Sequence, residues 1–181
     1  LRTLLAAGAD SAPAISAPAR QPLGFGALRT LIDTTLATLN GLGIGRNDRV
    51  AIVLANGPEM ATCFMACASG VASAPLNPAY RADEFEFYLS DLNAKALIVE
   101  RDSTSPAIAV AQKLGVRLID LVVPDGAPAG QFTLQPRDGA GGTATPTGGY
   151  AEPGDVSMVL HTSGTTSRPK IVPLSQGNLA A

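Results

Sequence analysis

A chain of 181 residues with 46% hydrophobic and 15% charged side chains can bury the core of one ordinary domain, which excludes an intrinsically disordered polypeptide. Thirteen Lys plus Arg against fifteen Asp plus Glu leave a net charge of -2, so no general electrostatic attraction to nucleic acid or to an anionic membrane is expected. Two Cys and one His are too few for a disulfide scaffold or a four-ligand zinc site, so no metal ligand is assigned and a reducing compartment is the default.

Taken in chain order, Leu28, Leu31, Ile32, Thr35, Leu36 and Leu39 recur at three- and four-residue spacing and predict a helix over 25–40. Gly41 and Gly43 stop it. The run 49–55 is continuous, apolar and rich in β-branched residues, as expected for a strand buried on both faces. Asn56-Gly57 turns the chain and Pro58 opens a second helix carrying Met60, Phe64, Cys67 and Ala68, followed by a brief strand at 71–74. Cys63 and Cys67 stand one helical turn apart and, with no further Cys or His nearby, are read as small buried apolar residues.

The turn Asn77-Pro78 precedes a helix over 82–92 with Phe85, Tyr88, Leu89 and Leu92 on one face, with Asp83, Glu84 and Glu86 in its solvated first turns. A strand at 96–99, a helix near 105–114 and a strand near 117–123 complete the alternation. Strands separated by helices of this length predict an α/β fold with a mainly parallel sheet of βαβ units, because parallel neighbours need a crossover connection. Over 124–154 thirteen of thirty-one residues are Gly or Pro, which marks a connecting segment within the fold; only 131–135 could form a strand. The uncharged stretch 60–80 is interrupted by Thr62, Ser69, Gly70, Ser73, Pro75, Asn77 and Pro78, so no membrane span is expected.

Strand character resumes at 156–160 and leads into His161-Thr162-Ser163-Gly164-Thr165-Thr166-Ser167-Arg168-Pro169-Lys170. Directly after a buried strand, such a loop suits a polyphosphate: backbone N–H groups near Gly164 can point at oxygens, the hydroxyls of Thr162, Ser163, Thr165 and Thr166 can donate, and Lys170 can supply charge. Pro169 before Lys170 and the apolar pair Ile171-Val172 after it exclude a Walker A loop, in which Lys opens a helix; the chain is expected to continue as a strand. By composition alone the run fits a hydroxyl-rich surface turn equally well.

Order and context separate the two readings. The run Thr162 to Lys170 resembles the signature phosphate loop of the adenylate-forming enzymes, the family of acyl-CoA synthetases, peptide-synthetase adenylation domains and luciferases. Its signature is a hydrophobic strand, then Thr/Ser-Ser-Gly-Thr-Thr-Gly/Ser-x-Pro-Lys, then a short strand. The segments 45–52, 56–59 and 74–78 also resemble that family's Gly-Asp-Arg-Val-Ala strand, Asn-Ser-Pro-Glu turn and Val-Pro-Leu-Asn-Pro segment, and these are read as structural. His161, Ile171 and Gln176 depart from the common pattern, and the run 161–170 with 172–176 is similar to the oxalate–CoA ligase branch, except at Ile171.

The resemblance implies the N-terminal portion of an AMP-binding domain over 1–181, with strand, phosphate loop and strand over 156–175. It also implies ATP-dependent adenylation of a small-molecule carboxylate followed by capture on coenzyme A, with Mg2+ as the charge partner of ATP. Thr162, Ser163, Gly164, Thr165, Thr166 and Lys170 are the implied phosphate contacts, Lys170 also being the implied catalytic residue. Two alternatives stay open: adenylation feeding a carrier-protein thiol, and a noncatalytic nucleotide-binding module. His161 is expected to shape the loop entrance, since the reaction offers it no proton to move. A start at Leu1 without Met and a stop just as a helix opens read as a fragment, by itself inactive, with the acyl pocket and the adenine, magnesium and C-terminal catalytic residues lying further on. With no secretory signal in view, a cytoplasmic location is expected, or a peroxisomal one for a eukaryotic chain whose address lies further on.

Overall fold

The computed structural model describes residues 1–139, 141–162 and 169–181. In chain order the elements are α1 (Arg2–Ala6), β1 (Pro13–Ile15), β2 (Leu23–Gly24), α2 (Phe25–Gly41), β3 (Arg49–Val53), α3 (Pro58–Ala68), β4 (Ala72–Pro75), α4 (Ala82–Leu92), β5 (Ala96–Glu100), α5 (Ala107–Leu114), β6 (Arg117–Val122), β7 (Thr133–Pro136), β8 (Val156–Thr162), β9 (Lys170–Ser175) and α6 (Gln176–Ala180). β1 and β2 form a small antiparallel pair; the other strands form one sheet in the order β7-β6-β5-β3-β4-β8-β9. Five neighbours, β6 through β8, run parallel, and each end is closed by an antiparallel strand, β7 on β6 and β9 on β8.

Alternation along the strands sorts the side chains into two cores. Val50 and Ile52 of β3, Ala96 and Ile98 of β5, and Ile119 and Leu121 of β6 meet the stripe of α2 (Leu28, Leu31, Ile32, Leu36, Leu39) and Cys63 and Cys67 of α3. Ala51 and Val53, Leu97 and Val99, and Leu118 meet Phe85, Leu89 and Leu92 of α4 and Val110 of α5 on the opposite face. A three-layer sandwich results because the central strands β3 and β5 are apolar on both faces and each face must be covered by a helix.

Two loops beside the start of α3 are tied by named groups. Glu59 Oε1 accepts from Arg20 Nη1 at 2.6 Å and from the Gly130 N–H at 3.0 Å, and Arg20 also donates to the carbonyls of Ala127 and Pro128. Thr62 Oγ1 donates to the Gly130 carbonyl at 2.7 Å. Gly130 has φ +83°, and a Cβ there would stand 2.6 Å from Thr62 Cγ2, so both backbone hand and space require glycine. Within the Gly/Pro-rich segment, then, the backbone near 130 is held by the N-terminal turn of α3.

Candidate functional site

Because β6, β5, β3, β4 and β8 are parallel, their carboxyl ends lie along one edge of the sheet, where open α/β folds place ligands. At β8 that edge is built as a hairpin. β8 and β9 pair in the register Leu160↔Val172, His161↔Ile171 and Thr162↔Lys170, so the first and last of the candidate phosphate contacts face each other across two antiparallel strands. Both Thr162 and Lys170 are exposed. Ser163, Gly164, Thr165 and Thr166 lie outside the described residues.

The hairpin is anchored at its other end. The Ser175 side chain caps α6, accepting from the Asn178 N–H at 3.2 Å. Gln176, 7% exposed, sends Nε2 back to the Ala68 carbonyl at 2.9 Å, and its N–H donates to the Asp155 carbonyl. Gln176, noted in the sequence as a departure from the common pattern, thus joins β9 to the end of α3. The Asp155 carboxylate receives the Glu152 N–H at 2.7 Å and the Asn47 amide at 2.8 Å and lies 3.6 Å from Arg46 Nη1, which also pairs with Glu152. The Glu152 N–H foremost, then Asn47 and Arg46, hold its carboxyl below the usual aspartate range against the opposing effect of partial burial. Pro173 within β9 is tolerated because β9 is the edge strand among the described residues.

At the mouth of the hairpin, His161 is held from α4. Its side chain is 7% exposed, its Nε2 lies 3.1 Å from Asp91 Oδ2, and its ring meets that of Tyr88 edge-on with centroids 4.6 Å apart. Facing a carboxylate, Nε2 carries the proton and donates. Tyr88 stacks on Tyr80 at 4.8 Å; the neighbouring Tyr88 hydroxyl, then burial, pushes the Tyr80 phenol up to about 12. The sequence placed Tyr88 on the apolar face of its helix, but Asp91 carried no signal: its partner is seventy positions away.

Other candidate chemistry is absorbed by structure. Cys63 and Cys67 are fully buried, and the neighbouring Cys67 thiol, then burial, raises the Cys63 thiol well above its ordinary value, the opposite of a reactive thiolate. Among the described residues no three His, Cys, Asp or Glu come together to hold a metal ion. A depression of about 660 Å³ is lined by 19–21 and 123–127 beyond β6, and its Arg20 is already committed to Glu59 and two carbonyls. No helix among the described residues is long and apolar enough to cross a membrane.

A family profile described as AMP-binding enzyme matches residues 6–181. Probable CoA ligase CCL9 of Humulus lupulus is 40% identical over 156 residues, 85% of this chain and 29% of that protein. The oxalate–CoA ligase of Arabidopsis thaliana is 37% identical over 170 residues, 93% of this chain and 33% of that one. ATP-bound MatB from Rhodopseudomonas palustris superposes with a TM-score of 0.71 at 26% identity, over 94% of this chain and 33% of its own. The chain therefore spans about a third of the length of these proteins. With the family profile running from residue 6 through 181, and ATP-bound MatB superposing over 94% of the chain, the chain belongs to the AMP-binding enzyme family.

Proposed function

We propose that this chain is the phosphate-binding part of an AMP-forming acid–thiol ligase that converts a small carboxylate, oxalate in the first instance, to its coenzyme A thioester. One observation carries the reading: Thr162 and Lys170, the ends of a hydroxyl-rich loop, are paired and exposed at the carboxyl edge of a parallel sheet in a chain of the AMP-binding family. The oxalate assignment rests on similarity to the oxalate–CoA ligases of Arabidopsis thaliana, at 37% identity, and Saccharomyces cerevisiae, at 32%.

In the proposed reaction a carboxylate oxygen attacks the α-phosphorus of ATP. The bond to the bridging oxygen breaks, pyrophosphate departs with the electron pair, and the acyl-adenylate remains. A thiolate then attacks the acyl carbon and displaces AMP. The carboxylate is already ionised at neutral pH and needs no general base, so catalysis is positioning and stabilisation of charge on the leaving group. Thr162, Ser163, Gly164, Thr165 and Thr166 would hold the β- and γ-phosphates by hydroxyl and backbone donors, and Lys170 would neutralise charge as pyrophosphate departs. Mg2+ would arrive with the nucleotide, since the described residues offer it no carboxylate cluster.

The test is carboxylate-dependent ATP–pyrophosphate exchange by the full-length protein over oxalate, short and aromatic acids and long-chain acids, followed by thioester formation with coenzyme A. Exchange with oxalate above the other acids and thioester on addition of coenzyme A are expected. Exchange without transfer to coenzyme A points to a carrier-protein thiol; no exchange by a folded protein with any acid removes the catalytic reading.

A further inference from the structure

Four groups from two distant parts of the sequence meet at the mouth of the hairpin. Tyr88 and Asp91 sit three residues apart on α4 and so project from one side of that helix. Asp91 receives the His161 Nε2–H at 3.1 Å, and the ring of Tyr88 stands T-shaped to the same imidazole with centroids 4.6 Å apart while Tyr80 stacks on Tyr88. The imidazole is held in the two ways a planar polar ring can be held, by a directed charge-assisted hydrogen bond in its plane and by ring packing. Residue 161 immediately precedes Thr162 and pairs with Ile171, the neighbour of Lys170. The side chain that α4 grips therefore belongs to the last ladder position before the two described ends of the candidate loop. The opposite end of β8 is fixed separately, through Asp155 and Gln176.

We infer that His161 is a positioning residue for the nucleotide: through Asp91 it fixes Thr162 and Lys170 relative to α4, and so sets affinity for ATP without touching it. The role rests on the function proposed above. It differs from acid–base chemistry, because the imidazole proton is engaged by Asp91, 39% exposed on the flank of α4, and not by any group of the loop ends. It differs from ordinary packing in predicting a substrate-specific kinetic effect. A misplaced phosphate contact weakens one substrate, whereas a loosened core lowers the amount of active enzyme and leaves every KM alone.

The experiment uses the full-length protein and its exchange reaction, with ATP binding measured directly by calorimetry. His161→Phe keeps a ring against Tyr88 and deletes the hydrogen bond; Asp91→Ala deletes the acceptor at an exposed position of a helix, where alanine is well tolerated. Each is expected to raise the KM and Kd for ATP about five- to tenfold while the KM for the carboxylate stays within about twofold. The double variant should be no worse than the poorer single one, because both delete the same bond. His161→Gln, which returns an N–H donor at similar reach, should recover most of the ATP affinity. Unchanged ATP constants in folded variants, or single effects that multiply in the double variant, overturn the role. If the unaltered protein neither binds ATP nor exchanges, the function proposed above falls and takes this role with it; if it does both and the variants match it, only the role falls.

Discussion

Two turns at the carboxyl edge of the same sheet show how a motif becomes structure in one place and a candidate site in another. After β3, Glu59 faces inward and its Oε1 is shared by Arg20 and the Gly130 N–H, while Thr62 takes the Gly130 carbonyl. After β8, with only β4 between the two, Thr162 and Lys170 are exposed at the mouth of a hairpin. Position at the strand ends is common to both. What separates them is where their polar groups point: a buried donor or acceptor already satisfied has no capacity left for a ligand, whereas an exposed cation and hydroxyl trade only water for phosphate.

The largest expected effect tests the second turn. Lys170→Ala in the full-length protein should slow single-turnover adenylate formation about a hundredfold, the magnitude typical of removing one charge-stabilising group, and an exposed substitution should leave the melting temperature nearly unchanged. A wild-type rate of adenylate formation in this variant would end the catalytic role given to Lys170. The first turn should respond the other way. Glu59→Ala takes the acceptor from the Gly130 N–H and one partner from Arg20 at a site where the glutamate is only 19% exposed, and a loss of about 1–3 kcal/mol in urea denaturation is expected, with the specific activity of the folded protein unchanged. If Glu59→Ala shifts the KM for ATP and not the urea midpoint, the distinction between the two turns is wrong.

A smaller effect is expected one layer down. Cys63→Ala removes a buried sulfur from the core between α3 and the sheet and should cost about 1–2 kcal/mol. In the native protein Cys63 should resist alkylation at neutral pH, since both burial and Cys67 oppose its thiolate. Rapid labelling under native conditions would show that the helix opens, or that the thiol is not held as described.

What the sequence made legible follows from the physics of each region. From α2 to β6 every element was readable to within a residue or two, because central parallel strands are apolar on both faces and their covering helices carry one stripe each. The parallel α/β class followed from that alternation. The N-terminal pair β1 and β2 was not legible: two or three residues carry no period. Nor was the reversal at the sheet ends. β7 and β9 looked like short strands, but whether a strand joins parallel or antiparallel is decided by the path of its connection, and a Gly-rich segment leaves that path unstated. For the candidate site, the loop was legible through order and context, while the clasp on His161 was not, because Asp91 reads only as one more charge on the polar side of a helix.

The smallest effect concerns the base of the hairpin and is a pH dependence. Asp155 has its carboxyl held below the ordinary aspartate range by the Glu152 N–H first, and by Asn47 and Arg46. A depressed folded value means that below pH ~4 the unfolded chain takes up the proton more readily than the folded one. The stabilisation is therefore complete above the unfolded value and is lost as the pH falls through the folded one. Asp155→Asn cannot titrate, so the melting temperatures of the full-length protein and this variant should differ most near neutrality and converge on acidification below pH ~4. A gap that stays constant down to strongly acid pH would mean that the variant loses packing at the hairpin base, and that the ionised carboxylate is not what ties β8 to the loop at Asn47.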